Sequence, residues 1–138
     1  MVTAGFWFAW VREAGGWRAW VNKFRAESRV GLDGYDPVVL QQSHAWKKGD
    51  EKIQAKFDGC VYLFLDAGSR DQFYANPQKY APALAGNDVV LAMDGKLAAG
   101  NRRHGLWYRN RMYLFVDEIN LNKFWSSRDR YDAFAESH

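Results

Sequence analysis

Short apolar runs separated by polar stretches follow residue 34, and they predict the same order of elements twice. A Val-Val-Leu run occurs at 38–40 and again at 89–91. Because the run is short and β-branched, it favours a strand. A hairpin is predicted next, with strands at 53–57 and 61–65 around the turn Asp58-Gly59. In the second set Arg109-Asn110 takes the place of this turn. The hairpin's second strand is apolar on both faces in each set, which indicates burial on both sides.

A helix is predicted after each hairpin. Ser69 and Gln72, three residues apart, form a capping box for a helix over 69–76, and Pro77 ends it. Asn120 is the predicted N-cap of the second helix, which contains Phe124 and continues towards residue 134. One hairpin and one helix of this size cannot bury their apolar surface alone. Two such units are therefore expected to share a core.

The two sets align when the chain is shifted by 51 residues. Over positions 38 to 80 the shift gives ten identities without a gap, including the Tyr-Leu-Phe of 62–64 and 113–115. A shift of one further residue pairs the Gly-x-Asp of 34–36 with that of 86–88. The pattern predicts an α+β fold of two pseudo-repeated β-hairpin-plus-helix units that share a core. The first unit is predicted at 34–85 and the second at 86–138.

An aromatic segment precedes both units and belongs to neither. Residues 1–33 are predicted to form an amphipathic helix and a connector, because apolar residues share one helical face. Four of the seven tryptophans lie in the first 20 residues. Tryptophan is frequent in protein interfaces and at membrane surfaces. The candidate contact residues are Trp7, Trp10, Trp17, Trp20 and Phe24.

Three roles are open for this aromatic segment. It could cover an exposed face of the two units, form an oligomer or partner contact, or lie on a membrane surface. Within residues 1–28, four basic and two acidic residues give a net charge of +2, which is compatible with anionic lipid. We expect a protein partner or a homo-oligomer and keep a peripheral membrane role as the alternative.

Composition narrows the class of protein without naming a function. The 138 residues fit one compact domain, and 48% of them are hydrophobic, which argues against disorder. The net charge of +3 permits contact with anionic partners without requiring it. No apolar run reaches the roughly 18 residues of a spanning helix. Charged residues interrupt the pattern of a signal peptide near the N-terminus, and localisation stays open.

Several stretches together resemble the YHS domain family. They are "GYDPVVL", "FDGCVYLF" and "RDQFYANPQKYAPALAG", and the second unit resembles a degenerate copy without the Asn-Pro. The resemblance covers residues 34–131 and implies a treble-clef-like unit that binds a metal or a small ligand. Family members often carry a cysteine soon after the glycines that follow Lys-Tyr-Ala-Pro. Here that stretch contains Asp88, and the comparable position of the first unit is Asp36.

Oxygen and nitrogen ligands are the remaining option for a metal site. Only one cysteine is present, Cys60, which excludes a thiolate cluster and is expected to be a small buried residue. Low-ranking candidates for a divalent ion are Asp36, Asp88, His44 and His104. The alternative is that each aspartate accepts backbone hydrogen bonds in a turn. We expect no metal and no cofactor.

Neither catalysis nor nucleic-acid binding is expected. The chain lacks a nucleophile elbow, a P-loop, a zinc-protease motif and a dinucleotide fingerprint. Basic residues at 102–103, 109 and 111 adjoin Trp107 and Tyr108, a mixture that can bind nucleic acid. Rim charges around a hairpin explain this mixture equally well. The sequence favours a non-catalytic binding or assembly module, with small-ligand or divalent-metal binding as a further alternative.

Overall fold

The structure is a computed structural model that describes residues 29–138. The predicted aromatic helix and its five candidate contact residues lie in 1–28, outside the described residues. Only residues 29–33 of the predicted connector are described, and they contact the second strand of the first hairpin. The backbone N–H of Val61 donates to the carbonyl oxygen of Arg29 over 3.0 Å, and Val30 pairs with Val61 in a parallel bridge.

The described chain is an α+β fold, as predicted. Two short 3-10 turns, Gly31–Gly34 and Ala83–Gly86, each precede a helix, a hairpin and two further helices. The strands are β1 Asp50–Phe57, β2 Cys60–Phe64, β3 Asn101–Tyr108 and β4 Arg111–Phe115. The helices are α1 Pro37–Ser43, α2 Ala67–Ala75, α3 Pro77–Tyr80, α4 Val89–Met93, α5 Glu118–Ser126 and α6 Arg128–Glu136. None of the helices in 29–138 is long and apolar enough to cross a bilayer.

The two hairpins form where the turn chemistry predicts them. β1 pairs with β2 and β3 with β4, each as an antiparallel two-stranded sheet. Asp58 and Gly59 both have positive φ, of 52° and 82°, as a two-residue hairpin turn requires. A glycine precedes the first strand of each hairpin, Gly49 before β1 and Gly100 before β3. Each of these glycines lies close to the backbone of the partner strand. A Cβ at Gly100 would lie 2.3 Å from the carbonyl carbon of Leu114, so no larger residue fits there.

The Val-Val-Leu runs are helical, and the predicted strands at these positions are wrong. α1 begins at Pro37, the favoured residue at the first position of a helix. The side chain of Asp36 caps this helix, and the side chain of Asp88 caps α4 in the same way. Because these caps satisfy free N–H groups at the helix start, they outweigh the β preference of two valines.

The predicted helix starts also need correction. α2 begins at Ala67 with Asp66 as its N-cap, and α5 begins at Glu118 with Asp117 as its N-cap. Ser69 and Asn120, the predicted caps, lie in the first turn, and each donates its backbone N–H to the capping carboxylate over 2.8 Å. The carboxylate is the better cap here because its charge also interacts favourably with the helix dipole.

The second helix is also shorter than predicted. α5 ends at Ser126, and Ser127, at φ −140° and ψ 42°, leaves the helical conformation. α6 then begins as a separate helix at Arg128, so the predicted continuation towards residue 134 is wrong.

The inner strands β2 and β4 lie at the centre of two adjoining hydrophobic clusters. One cluster contains Phe64 against Phe73, and the other contains Phe115 against Phe124. Met112 and Leu114 of β4 pack into the first cluster, so the hairpins contribute to a common interior. Buried residues on both faces of β2 and β4 confirm the predicted central position of these strands, although Leu65, just after β2, is 43% exposed.

Candidate functional site

Asp36 is fully buried and accepts four hydrogen bonds from its own chain. Its Oδ1 accepts from the backbone N–H groups of Val38 and Val39, at 2.8 and 3.1 Å. Its Oδ2 accepts from the backbone N–H of Leu65 at 2.8 Å and from the hydroxyl of Ser69 at 2.7 Å. A carboxylate offers about four lone-pair positions, so these four bonds use all of them. Asp36 therefore joins the start of α1, the end of β2 and the start of α2.

Asp88 makes the same set of contacts in the second half of the described chain. Its Oδ1 accepts from the N–H groups of Val90 and Leu91, at 2.8 and 3.1 Å. Its Oδ2 accepts from the N–H of Val116 and the side-chain amide of Asn120, both at 2.9 Å. Sequence analysis missed the inward roles of Ser69 and Asn120, although their alignment at the 51-residue shift was a signal for them.

The histidines lie apart from this polar interior. His44 ends α1 in a left-handed conformation, and its exposed ring stacks on Trp107 with centroids 4.3 Å apart. His104 is half-buried within β3. Among residues 29–138, no group of three or more His, Cys, Asp or Glu side chains has an arrangement that could hold a metal ion. The four low-ranking candidates, Asp36, Asp88, His44 and His104, therefore do not form such a group.

Cys60 is buried beneath the first hairpin turn, as expected. Its thiol donates to the carbonyl oxygen of Ala85 at 3.6 Å. Burial raises the pKa of the Cys60 thiol above its ordinary value, and the nearby positive charge of Arg29 opposes this shift. A buried thiol with a raised pKa is a poor nucleophile.

Two buried tyrosines differ in their hydrogen bonding. Tyr113 of β4 donates its hydroxyl to Oδ1 of Asp132, a buried carboxylate that also accepts from Nη1 of Arg109 at 3.1 Å. Tyr62 of β2 is equally buried, but within residues 29–138 its hydroxyl has no hydrogen-bond partner. The residue that matches Asp132 at the 51-residue shift is Ala81, whose side chain has no atom that could accept a hydrogen bond from Tyr62. Burial raises the pKa of both tyrosines; the neighbouring thiol of Cys60 adds to the effect at Tyr62, and the hydrogen bond to Asp132 adds to it at Tyr113.

Basic residues on the second hairpin are engaged by acids and aromatic rings. Arg109 forms ion pairs with Asp129 and Asp132, both at 3.1 Å, and Arg111 approaches Glu136 at 3.7 Å. Arg102 lies over the rings of Tyr35 and Trp46, with its guanidinium carbon 4.7 and 5.2 Å from the centroids. Three of the four arginines of this hairpin are therefore engaged within residues 29–138, as rim charges around a hairpin would be.

An open groove of about 400 Å³ lies on the surface of the described residues. It lies between the first hairpin turn, the second 3-10 turn and the chain that follows α4. Its polar side chains are Arg29, Asp58 and Asn87. Its apolar side chains are Leu84, Ala85, Ala92, Leu97, Ala98 and Ala99. Leu97 is 60% exposed there, which is a large exposure for an aliphatic side chain beside a groove.

Comparison with known proteins assigns the chain to no family. No protein-family model matches it, and no curated protein or solved structure is significantly similar to it. The resemblance to the YHS domain therefore stays a prediction.

Proposed function

We propose that this chain is a non-catalytic, YHS-like binding and assembly module that acts through protein–protein contact. In this proposal residues 34–85 and 86–138 are two copies of one unit. The shared order of elements and the matching hydrogen bonds of Asp36 and Asp88 support the two copies. The polar group at the centre of each unit serves to hold helices and strand together.

The groove beside Leu97 is the observation that carries the proposal. Protein interfaces place aliphatic and aromatic side chains in a dry centre and polar groups around it. The groove contains both kinds of side chain, an exposed leucine and several alanines together with Arg29, Asp58 and Asn87. The four tryptophans of residues 1–20 add a second feature typical of contact surfaces.

Metal binding by the buried aspartates is less well supported than protein–protein contact. A metal ion at Asp36 or Asp88 would have to displace hydrogen bonds that hold α1 or α4 in place. Buried donors left without an acceptor cost about 1–3 kcal/mol each, so such an exchange is unfavourable.

The test is the mass of the full-length chain in solution. We expect sedimentation velocity to show a species larger than a monomer, and a Trp10→Ala/Trp17→Ala variant to dissociate it. Trp107→Ala is the matched control, because this partly buried tryptophan packs against the core and its loss should lower stability without lowering the mass. A full-length chain that stays monomeric at high micromolar concentration would contradict the assembly proposal. Flotation with anionic vesicles that weakens with salt would instead support the membrane alternative.

A further inference from the structure

The geometry points to a specific occupant of the groove, namely a segment of a partner protein that carries a carboxylate beside an aliphatic side chain. The carboxylate would bind Arg29, and the aliphatic side chain would pack on Leu97. This inference rests on the proposed function as a protein-binding module, and it names the chemistry that the module would recognise.

Arg29 is held in place, and within residues 29–138 its guanidinium has donors to spare. Its backbone carbonyl is fixed by Val61, and its Nη1 donates to Oδ1 of Asn87 at 2.9 Å. Nη2 lies 3.4 Å from the position that a Cβ would take on Gly86, where the absence of a side chain leaves room for the guanidinium. Asn87 is the one hydrogen-bond acceptor that this guanidinium has within residues 29–138, and no carboxylate of those residues lies within 4.0 Å of it. A guanidinium has five N–H groups, and its planar fork matches a carboxylate.

The apolar wall lies in the same groove as this positive charge. Leu97 is 60% exposed, and Leu84 and the alanines at 98 and 99 line the surface near it. A ligand that covers Leu97 would remove this apolar surface from water. Charge and apolar surface together favour an acidic residue with an aliphatic neighbour.

Asp58 further restricts which peptides the groove can bind. It lines the groove together with Arg29 without forming an ion pair with it. A second carboxylate close to Asp58 would be repelled, whereas a backbone N–H could donate to it. The groove therefore suits a peptide with a single acidic residue at the contact.

A protein segment fits the groove better than a small molecule. Small-molecule sites enclose most of their ligand's surface. This groove is open to solvent, so a free metabolite bound in it would remain partly exposed. A peptide can use the same contacts while the rest of its chain extends along the surface.

Selection from a random library of displayed 12-residue peptides on the full-length chain tests this inference. We expect enrichment of peptides with one Asp or Glu next to Leu, Ile, Val or Met. The best peptide is then labelled, and its Kd is measured by fluorescence polarisation. Arg29→Gln should weaken binding by roughly 10- to 100-fold, because it removes a charge-assisted pair, and Leu97→Asn should also weaken it. The matched control Arg103→Gln, at an exposed position of β3, should bind as the unaltered chain does.

Several outcomes would overturn the inference. They are the absence of any enriched peptide, enrichment without acidic residues, or equal affinity for the Arg29→Gln variant. Displacement of the selected peptide by a synthetic peptide of residues 1–28 would show that the chain's own segment is the occupant. Peptide affinity tests the groove and solution mass tests assembly, so either claim can be contradicted without the other. A monomer that binds acidic peptides contradicts only assembly, and an oligomer that binds none contradicts only the groove.

Discussion

Tyr62 and Tyr113 provide a matched test of how the polar interior is stabilised. Each tyrosine lies on the inner strand of a hairpin and is almost completely buried. The hydroxyl of Tyr113 donates to Asp132, whereas that of Tyr62 has no partner within residues 29–138. Replacing each by phenylalanine removes one oxygen from nearly the same environment. We therefore expect opposite effects on the free energy of unfolding.

The Tyr113→Phe substitution should destabilise the fold. A hydrogen bond to a charged group contributes about 1.5–3 kcal/mol. Without it, Asp132, which is 1% exposed, would retain only the bond from Arg109 among its present partners. A buried carboxylate that loses a donor also keeps its desolvation cost. We expect the free energy of unfolding to fall by about 2–3 kcal/mol.

The Tyr62→Phe substitution should leave stability unchanged or raise it. A buried hydroxyl without a partner costs about 1–3 kcal/mol. Phenylalanine retains the ring contact with Phe73, whose centroid lies 5.3 Å away. The small void left by one oxygen offsets part of the gain. We expect a change between zero and about 1 kcal/mol of added stability.

Urea unfolding followed by circular dichroism measures both effects. Equal slopes with shifted midpoints would show that stability alone has changed. A double-mutant cycle with Asp132→Asn should give a coupling of more than about 1 kcal/mol with Tyr113. The same cycle with Tyr62 should give none. The reasoning would be refuted if Tyr62→Phe cost as much as Tyr113→Phe, or if Tyr113 and Asp132 showed no coupling.

Further predictions concern the core, pH, the thiol and metal. Phe64→Ala and Phe115→Ala should each lower the free energy of unfolding by about 3–5 kcal/mol in urea titrations, and losses below about 1 kcal/mol would show that these strands are not central. Because folding raises the pKa of Tyr62 and Tyr113, their contribution is present below pH of about 10 and is lost as pH rises further. Melting temperatures should therefore fall above that pH, less so in the two phenylalanine variants. Cys60 should react with a thiol reagent only as fast as the chain opens, and rapid labelling of the native chain would contradict its burial. Because the two buried aspartates are saturated by their own chain, a chelator should leave the melting temperature unchanged, and a fall of several degrees would point to a bound metal.

Features set by neighbouring residues were predictable from the sequence. The hairpin around Asp58 and Gly59 is one example, because few residue pairs accept the positive φ values of this turn. The apolar strands 61–65 and 112–116 likewise predicted where the core would lie, since an apolar residue at almost every position leaves no face for water.

The helical form of the Val-Val-Leu runs had a local signal that the β preference of valine obscured. Asp36 is a favoured N-cap and Pro37 a favoured first helical residue, whereas only folding brings the N–H groups of Leu65 and Val116 to the second oxygens of Asp36 and Asp88. The donors at Ser69 and Asn120 come from 33 and 32 residues away in sequence. Contacts at this separation have no periodic signature, and the alignment of Ser69 with Asn120 at the 51-residue shift was the sequence signal for their shared role.

The groove shows the same division between sequence and structure. Arg29, Asp58 and Leu97 are unremarkable in sequence, and each lies in a different part of the chain. Local propensity determines the turn that contains Asp58 and the loop that contains Leu97. Their convergence beside Arg29 depends on the packing of the second 3-10 turn against the first hairpin, where Cys60 meets Ala85. The hairpin strands and their turns were readable from the sequence because they depend on a few adjacent residues, whereas the groove exists only once long-range burial has packed them together.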